Sequence, residues 1–470
     1  MNGIEYQPMQ DGYLEKRGLR RFARVLHLWA LGVGAVISGD FFGWNFGLLE
    51  GGFGGLLIAL VIMTVLYLGL CLSIAEMSPA LPHAGGAYSF ARTALGPWGG
   101  YLTGLAENME YILTPSVIVV GVGGYLGTIF GTPAGWAPAW WIACYAVFVA
   151  INVWGVELSF RMSVAITIAA LAILLLFYIT AIPHVDVQRW ALNGGSWLPH
   201  GWLGVFRSLP FALWVYLGIE QLPLAAEEAH DPAKDMPKAV TLGLGTLVFF
   251  SFATVFLNSS ISPGAAVLGR SEEPLLEGLR TIFGSGATMK LLGLMACTGL
   301  LASFHTIIFA YGRQIYSLSR AGYFPTFLSI THGSRQTPLR ALLAGSGLSL
   351  AAAYAIYWSG QKSSVGAVLL NMAVFGAVIA YVLQMLSFIV LRRKFPQLHR
   401  PYRSPLGVPG AVMGAVLSSI TLVALFAHPD SRPGVIGAAI WFLFGALYFA
   451  LFSRRRLVLA PEEEFAMQRD

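Results

Sequence analysis

A few ionisable side chains interrupt stretches of this chain that are otherwise apolar, and these are the places where chemistry could be done. Asp40 stands in the middle of Leu31-Gly-Val-Gly-Ala-Val-Ile-Ser-Gly-Asp-Phe-Phe-Gly43. A carboxylate at the centre of a membrane helix costs about 2.5–3.5 kcal/mol on insertion scales, so it is kept for a partner, and a small ammonium compound would supply one. The alternative is structural, with Asp40 capping an interrupted helix through backbone amides. Glu107 and Glu110 are spaced i, i+3, which puts them on one helix face within reach of each other. Two carboxylates in one low-dielectric site cannot both ionise comfortably, so the pair could hold a cation and carry a proton. Hydrogen bonding to neighbouring helices through Asn108 or Tyr111 is the competing role. Trp214 and Tyr216 sit close before Glu220, and aromatic faces attract ammonium groups as well as filling cores. His305 is the one histidine of nine expected deep in a span. Its imidazole titrates near physiological pH, although a lone buried histidine also serves as a helix contact.

Such groups need elements that hold them at depth, and composition indicates which. Of the 470 residues, 56% are hydrophobic and 11% charged, against about 25% charged in soluble domains, so a membrane protein is expected and disordered, coiled-coil and secreted readings are excluded. Glycine, at 54 residues, suits helices that touch or break. Cys71, Cys144 and Cys297 lie in apolar runs and imply neither a disulfide framework nor a metal cluster. The net charge of +6 comes from basic residues between apolar spans, which read as topology signals rather than a nucleic-acid surface.

A spanning helix needs about 20 mostly apolar residues. Runs without Asp, Glu, Lys or Arg cover 51–75, 111–156, 162–185, 239–269, 291–312, 341–361, 363–391, 404–429 and 433–453. The second divides near Gly131-Thr-Pro-Ala-Gly135 into the end of one span and a whole further one. With the segments before Gly51 and around 203–228, twelve transmembrane helices are expected. If both termini are cytoplasmic, 22 Lys and Arg lie inside and seven outside, the bias that sets orientation. The polar first 24 residues show no cleavable signal, and Pro461-Glu-Glu-Glu464 reads as a solvated end. Gly51-Gly-Phe-Gly-Gly55 is not followed by Lys-Ser or Lys-Thr, so no phosphate loop is expected, nor a zinc spacing, a nucleophile elbow or a cofactor; the chain does not read as an enzyme.

The first span combines glycines, Ser38 and Asp40 at mid-depth. Five spans later, Leu213-Trp-Val-Tyr-Leu-Gly-Ile-Glu220 places Gly218 and an acid in the matching position. Paired interruptions suggest two five-helix repeats of inverted topology, with discontinuous helices holding substrate at the midplane. The bland alternative is a pair of glycine hinges that only allow close packing.

Gly32-Val-Gly-Ala-Val-Ile-Ser-Gly-Asp40 resembles the first-helix motif of the amino acid, polyamine and organocation permease superfamily. Glu76-Met-Ser-Pro-Ala-Leu-Pro-His-Ala-Gly-Gly-Ala-Tyr88, Glu227-Glu-Ala-His-Asp-Pro232 and Ser319-Arg-Ala-Gly-Tyr-Phe-Pro325 are similar landmarks in the expected order. Within it, Ser38-Gly-Asp-Phe-Phe-Gly-Trp-Asn-Phe-Gly47, Ala106-Glu-Asn-Met-Glu-Tyr-Ile-Leu-Thr-Pro115, Glu220-Gln-Leu-Pro-Leu-Ala-Ala-Glu-Glu228 and Ala302-Ser-Phe-His-Thr-Ile-Ile308 resemble the ethanolamine permease group. The resemblance implies an all-α integral membrane protein with a LeuT-like 5+5 fold, the repeats at 25–182 and 203–391. Two C-terminal helices at 405–453 follow, with cytoplasmic ends at 1–24 and 454–470.

By the same resemblance Ile37, Ser38, Gly39, Tyr111 and Gly218 join Asp40, Glu107, Glu110, Trp214, Tyr216 and Glu220 around the substrate, and Trp214 matches an aromatic gate. Glu220 matches a position linked to proton coupling, with holding the break as its structural alternative. Ser303 matches the face of a sodium site, and Ala170 stands where proton-driven relatives often place a lysine, which leaves the coupling ion open. The expected function is import of ethanolamine, a small cation, across the cytoplasmic membrane. An amino acid or polyamine permease is the alternative, and a channel or receptor the reading from another class.

Overall fold

The computed structural model describes residues 4–9, 11–284, 289–359, 365–427 and 432–467. Lys362 and Arg469, two of the basic residues counted for orientation, lie outside them, as do the outermost residues of both expected terminal segments.

The chain forms helices wherever apolar runs exceed a span. α1 is Val25–Val36, continued after Ile37 by the single turn Ser38–Phe41. There follow α2 (Gly47–Ala80), α3 (Ala87–Phe130), α4 (Ala137–Trp154) and α5 (Val156–Ala181). α6 is Gly201–Trp214, resumed as a tighter helix at Ile219–Glu228. After it come α7 (Pro232–Ser259), α8 (Met289–Arg320), α9 (Leu339–Trp358), α10 (Val365–Lys394), α11 (Gly407–Ala427), α12 (Arg432–Leu451) and the short α13 (Pro461–Met467).

Among the described residues, eleven helices are long and apolar enough to cross a membrane, and the first segment, Val25–Phe41, is apolar but shorter. The seventeen residues Val25–Phe41 rise only about 25 Å, short of a hydrocarbon core of about 30 Å; Ile37 keeps helical backbone angles, and it is the extended Phe42 and left-handed Gly43 that end the segment below full length. The division of 111–156 falls where expected, between Phe130 and Ala137. α3 instead begins far before its charge-free run, because Arg92, Glu107 and Glu110 all lie within it.

Two sequence expectations are corrected. Arg92 and Arg313, counted as loop charges, are buried in ion pairs with Glu463 and Glu228 at 2.5 and 2.9 Å. The acidic tail is not a solvated end: Glu462 and Glu463 are 1% and 0% exposed. Glu463 accepts hydrogen bonds from Arg92 and from the hydroxyls of Tyr6, Tyr88 and Tyr323 at 2.5–3.0 Å. Burial pushes its carboxyl above the usual range, and the Arg92 guanidinium pulls it back. Glu462 meets Arg320, which also holds Glu227. Beside this pair, ligand atoms of His83, Glu227 and Glu462 lie within 4.8 Å of one another. The Arg320 guanidinium bonds to both carboxylates there, at 2.6 and 2.9 Å. Tyr6–Gln7 pairs in parallel with Leu457–Val458, so the two ends of the chain lie together.

Candidate substrate site

The interruptions of α1 and α6 pack directly against each other. A Cβ on Gly39 would lie 2.8 Å from the Trp214 carbonyl oxygen and 3.0 Å from Val215 Cα, contacts with backbone that cannot move aside. Gly218, at φ +113°, turns the chain in the left-handed region against Ala35. Each break exposes backbone groups that need partners. Ser303 of α8 serves the first: its hydroxyl accepts from Ser38 N–H at 3.0 Å and donates to Gly34 O at 2.9 Å. Glu220 serves the second, both carboxyl oxygens accepting from Gly218 N–H at 3.1 Å. Trp214 donates from Nε1 to Phe42 O at 3.0 Å and meets the Phe42 ring edge-on, fastening one half of α6 to the end of the first break.

The acids are all interior, with Asp40, Glu107, Glu110 and Glu220 at 2% exposure or less, but they fall into two groups. Glu107, Glu110 and Glu220 converge from α3 and α6. Glu107 accepts from Gln314 Nε2 at 2.8 Å and, more weakly, from Gln384 Nε2 at 3.5 Å. Glu110 faces Glu220, with its own Oε2 unpartnered. The hydroxyls of Tyr67 and Tyr381, 2.9 Å apart, stand beside this trio. Tyr111 is buried next to Glu107, its hydroxyl without a hydrogen bond. Asn108 bonds back to Gly104 O.

Asp40 faces elsewhere. Both its oxygens are buried with no hydrogen bond of ordinary length, in the neighbourhood of Thr254 of α7, Tyr178 of α5 and Tyr216. Tyr216 is fully buried and bonded to Thr64 and Ser251 at 2.8 and 3.0 Å. Ile37, Ser38 and Gly39 are buried at the same break.

His305 is not brought to the acids. Its Nε2 is 3.0 Å from Ser159 O, a pure acceptor, so that nitrogen carries the proton and Nδ1 accepts from Asn152 Nδ2 at 3.2 Å. The ring ties α8 to α4 and α5. Sequence reasoning missed Tyr67, Gln314, Tyr381, Gln384, Tyr178 and Thr254. The amides offered a usable signal, being uncharged but strongly polar groups deep in apolar spans, whereas single hydroxyls in helices are too common to stand out.

A family model described as amino acid permease matches residues 24–452, nearly the whole of this broken-helix bundle. The chain belongs to the amino acid permease family. An uncharacterised transporter of Rhizobium meliloti is 30% identical to the permease over 440 residues, covering 90% of this chain and 92% of that protein. The branched-chain amino acid permease of Bacillus subtilis is 26% identical, covering 94% of each chain. The methylthioribose transporter of the same organism is 27% identical, covering 95% of this chain and 96% of its own length. The permease is thus a multi-pass membrane transporter for a small organic substrate, and the reading as a non-enzyme accords with its relatives.

Proposed function

We propose that this permease imports ethanolamine across the cytoplasmic membrane by alternating access, with the substrate ammonium paired to an acid at the midplane. One observation carries the reading: Asp40 is a fully buried carboxyl at a helix break with neither oxygen hydrogen-bonded. A buried charge of this kind is costly unless a cation joins it. The ethanolamine-group strings around Ser38, Ala106 and Glu220 support the specific substrate, and the unpaired Asp40 carboxyl disfavours a ligand that brings its own carboxylate. In this reading α1 to α10 form two inverted five-helix repeats, α1 counts as the twelfth span, and the joined chain ends lie together in the cytoplasm.

The relatives' names favour a second reading, an amino acid permease, in which the small Ser38-Gly39 break would receive the substrate carboxylate. Uptake of labelled ethanolamine into proteoliposomes, competed in turn by choline, alanine and putrescine, separates the two. Competition by unlabelled ethanolamine alone is expected; preferred uptake of alanine would replace the first reading with the second.

A further inference from the structure

We propose that the cleft between the N-terminal segment, the loop after α8 and the end of α12 binds the phosphate of an anionic phospholipid through Lys16, Arg17 and Arg456. The cleft has a volume of about 840 Å³, and Tyr13, Phe324, Tyr448 and Phe452 supply aromatic walls. Its lining holds those three cations against one acid, the exposed Asp11. The site is independent of which substrate the permease carries.

Arg17 carries the inference. The other buried arginines each meet a carboxylate: Arg92 meets Glu463, Arg313 meets Glu228, and Arg320 meets Glu227 and Glu462. Arg17 is only 8% exposed, yet its partners among the described residues are neutral. Its guanidinium lies 3.6 Å from the Tyr13 ring centre and donates to Ser329 Oγ, Tyr13 O and Thr326 O at 2.7–3.2 Å. Two of the five N–H groups of a guanidinium, and its charge, are left over. A buried cation without a counterion is costly, and a phosphate oxygen is a strong acceptor for it. Lys16 and Arg456 are exposed and form no ion pair among the described residues. The backbone fixes Arg456 at the opening: it precedes Leu457–Val458, which pairs with Tyr6–Gln7, and Val458 N–H donates to Ala321 O at 2.9 Å.

The surface beside the cleft makes the anion a lipid. On α12, Ile436, Ile440, Leu443, Leu447 and Leu451 are exposed and recur every three or four residues, so they share one face that leads to Phe452 at the cleft. α12 is long and apolar enough to span, and Arg454, Arg455 and Arg456 follow it, which sets the cleft at the depth of lipid headgroups. A lipid phosphate seated there lays its acyl chains along this stripe, whereas free phosphate would leave the aromatic walls bare. A zwitterionic headgroup would bring its own ammonium to a cluster of cations.

The test is native mass spectrometry and thermal unfolding of the full chain in detergent, with phosphatidylglycerol, phosphatidylcholine or inorganic phosphate added. Wild type is expected to retain phosphatidylglycerol and to unfold at a higher temperature with it, and to respond little to the other two. Lys16→Gln/Arg456→Gln should weaken phosphatidylglycerol binding on the order of tenfold or more. Arg20→Gln/Arg455→Gln makes the same change in charge at exposed positions outside the cleft and should bind as wild type does. Unchanged binding in the first double variant, or an equal loss in both, overturns the proposal. Equal retention of phosphatidylglycerol and phosphatidylcholine by wild type also overturns it, even should the first variant fail to fold. Stabilisation by inorganic phosphate as strong as that by the lipid overturns the lipid assignment, and a lipid-free dimer gives the α12 face to a second copy instead.

Discussion

The carboxyl of Asp40 and that of Glu220 show how similar residues at matching breaks take different work. Glu220 spends its oxygens on the Gly218 amide, the structural role weighed for it, while those of Asp40 remain unpaired. Asp40→Asn keeps the shape and removes the charge, so uptake of ethanolamine should fall on the order of tenfold or more at low substrate, with the protein still folded by gel filtration. Normal affinity in that variant would take Asp40 out of the site. Within the trio, Glu107 is held by two amides and Glu110 has an oxygen to spare. The pH profile of uptake should therefore move more in Glu110→Gln than in Glu107→Gln, and a profile that neither variant moves would make the pair structural.

An interrupted helix is stable only if its loose backbone ends are met, and here one hydroxyl meets two of them. Ser303→Ala would leave the Ser38 amide and the Gly34 carbonyl unpaired in the bilayer interior, at about 1–3 kcal/mol. A lower unfolding temperature in detergent, with no change in sodium response, is the expected result; loss of a sodium requirement would instead return Ser303 to an ion site. The contact between the two breaks is closer than any side chain allows. Gly39→Ala must push Trp214 and Val215 apart, so transport should drop severely, and near-normal uptake would show that the breaks do not work in this packing.

Over the whole molecule, the chain ends are part of the packed structure. Glu463 in α13 ties the tail to Arg92 and Tyr88 of α3 and to Tyr6 and Tyr323 of two other segments. Glu463→Ala leaves the Arg92 charge buried and unpaired, and about 3–5 kcal/mol of stability should be lost, measurable as a fall in thermal unfolding temperature. What drives uptake is also set at this scale. A cationic substrate is drawn in by roughly 2.3 kcal/mol per 100 mV, but an empty carrier with charged acids would resist its return step through the low-dielectric centre. Uptake in liposomes at fixed potential should respond to an imposed proton gradient and ignore sodium; the reverse response would show that the trio carries no proton.

The membrane class, the helical segments and the positions of the breaks were legible in the sequence because they depend on local facts: runs of apolar residues, a glycine beside an acid, a spacing of three. Which acids belong together was not. Glu107 meets its amides 207 and 277 positions away, and Arg92 meets Glu463 across 371, so no window of sequence contains either environment. The same reason explains the tail: three consecutive glutamates look solvated until the fold supplies buried arginines to receive two of them. Asp40 could be singled out by its cost in an apolar span. That it stands apart from the glutamates, against Thr254 and Tyr178, was decided only when α5 and α7 closed around α1, because direction within a site is a property of packing and not of order along the chain.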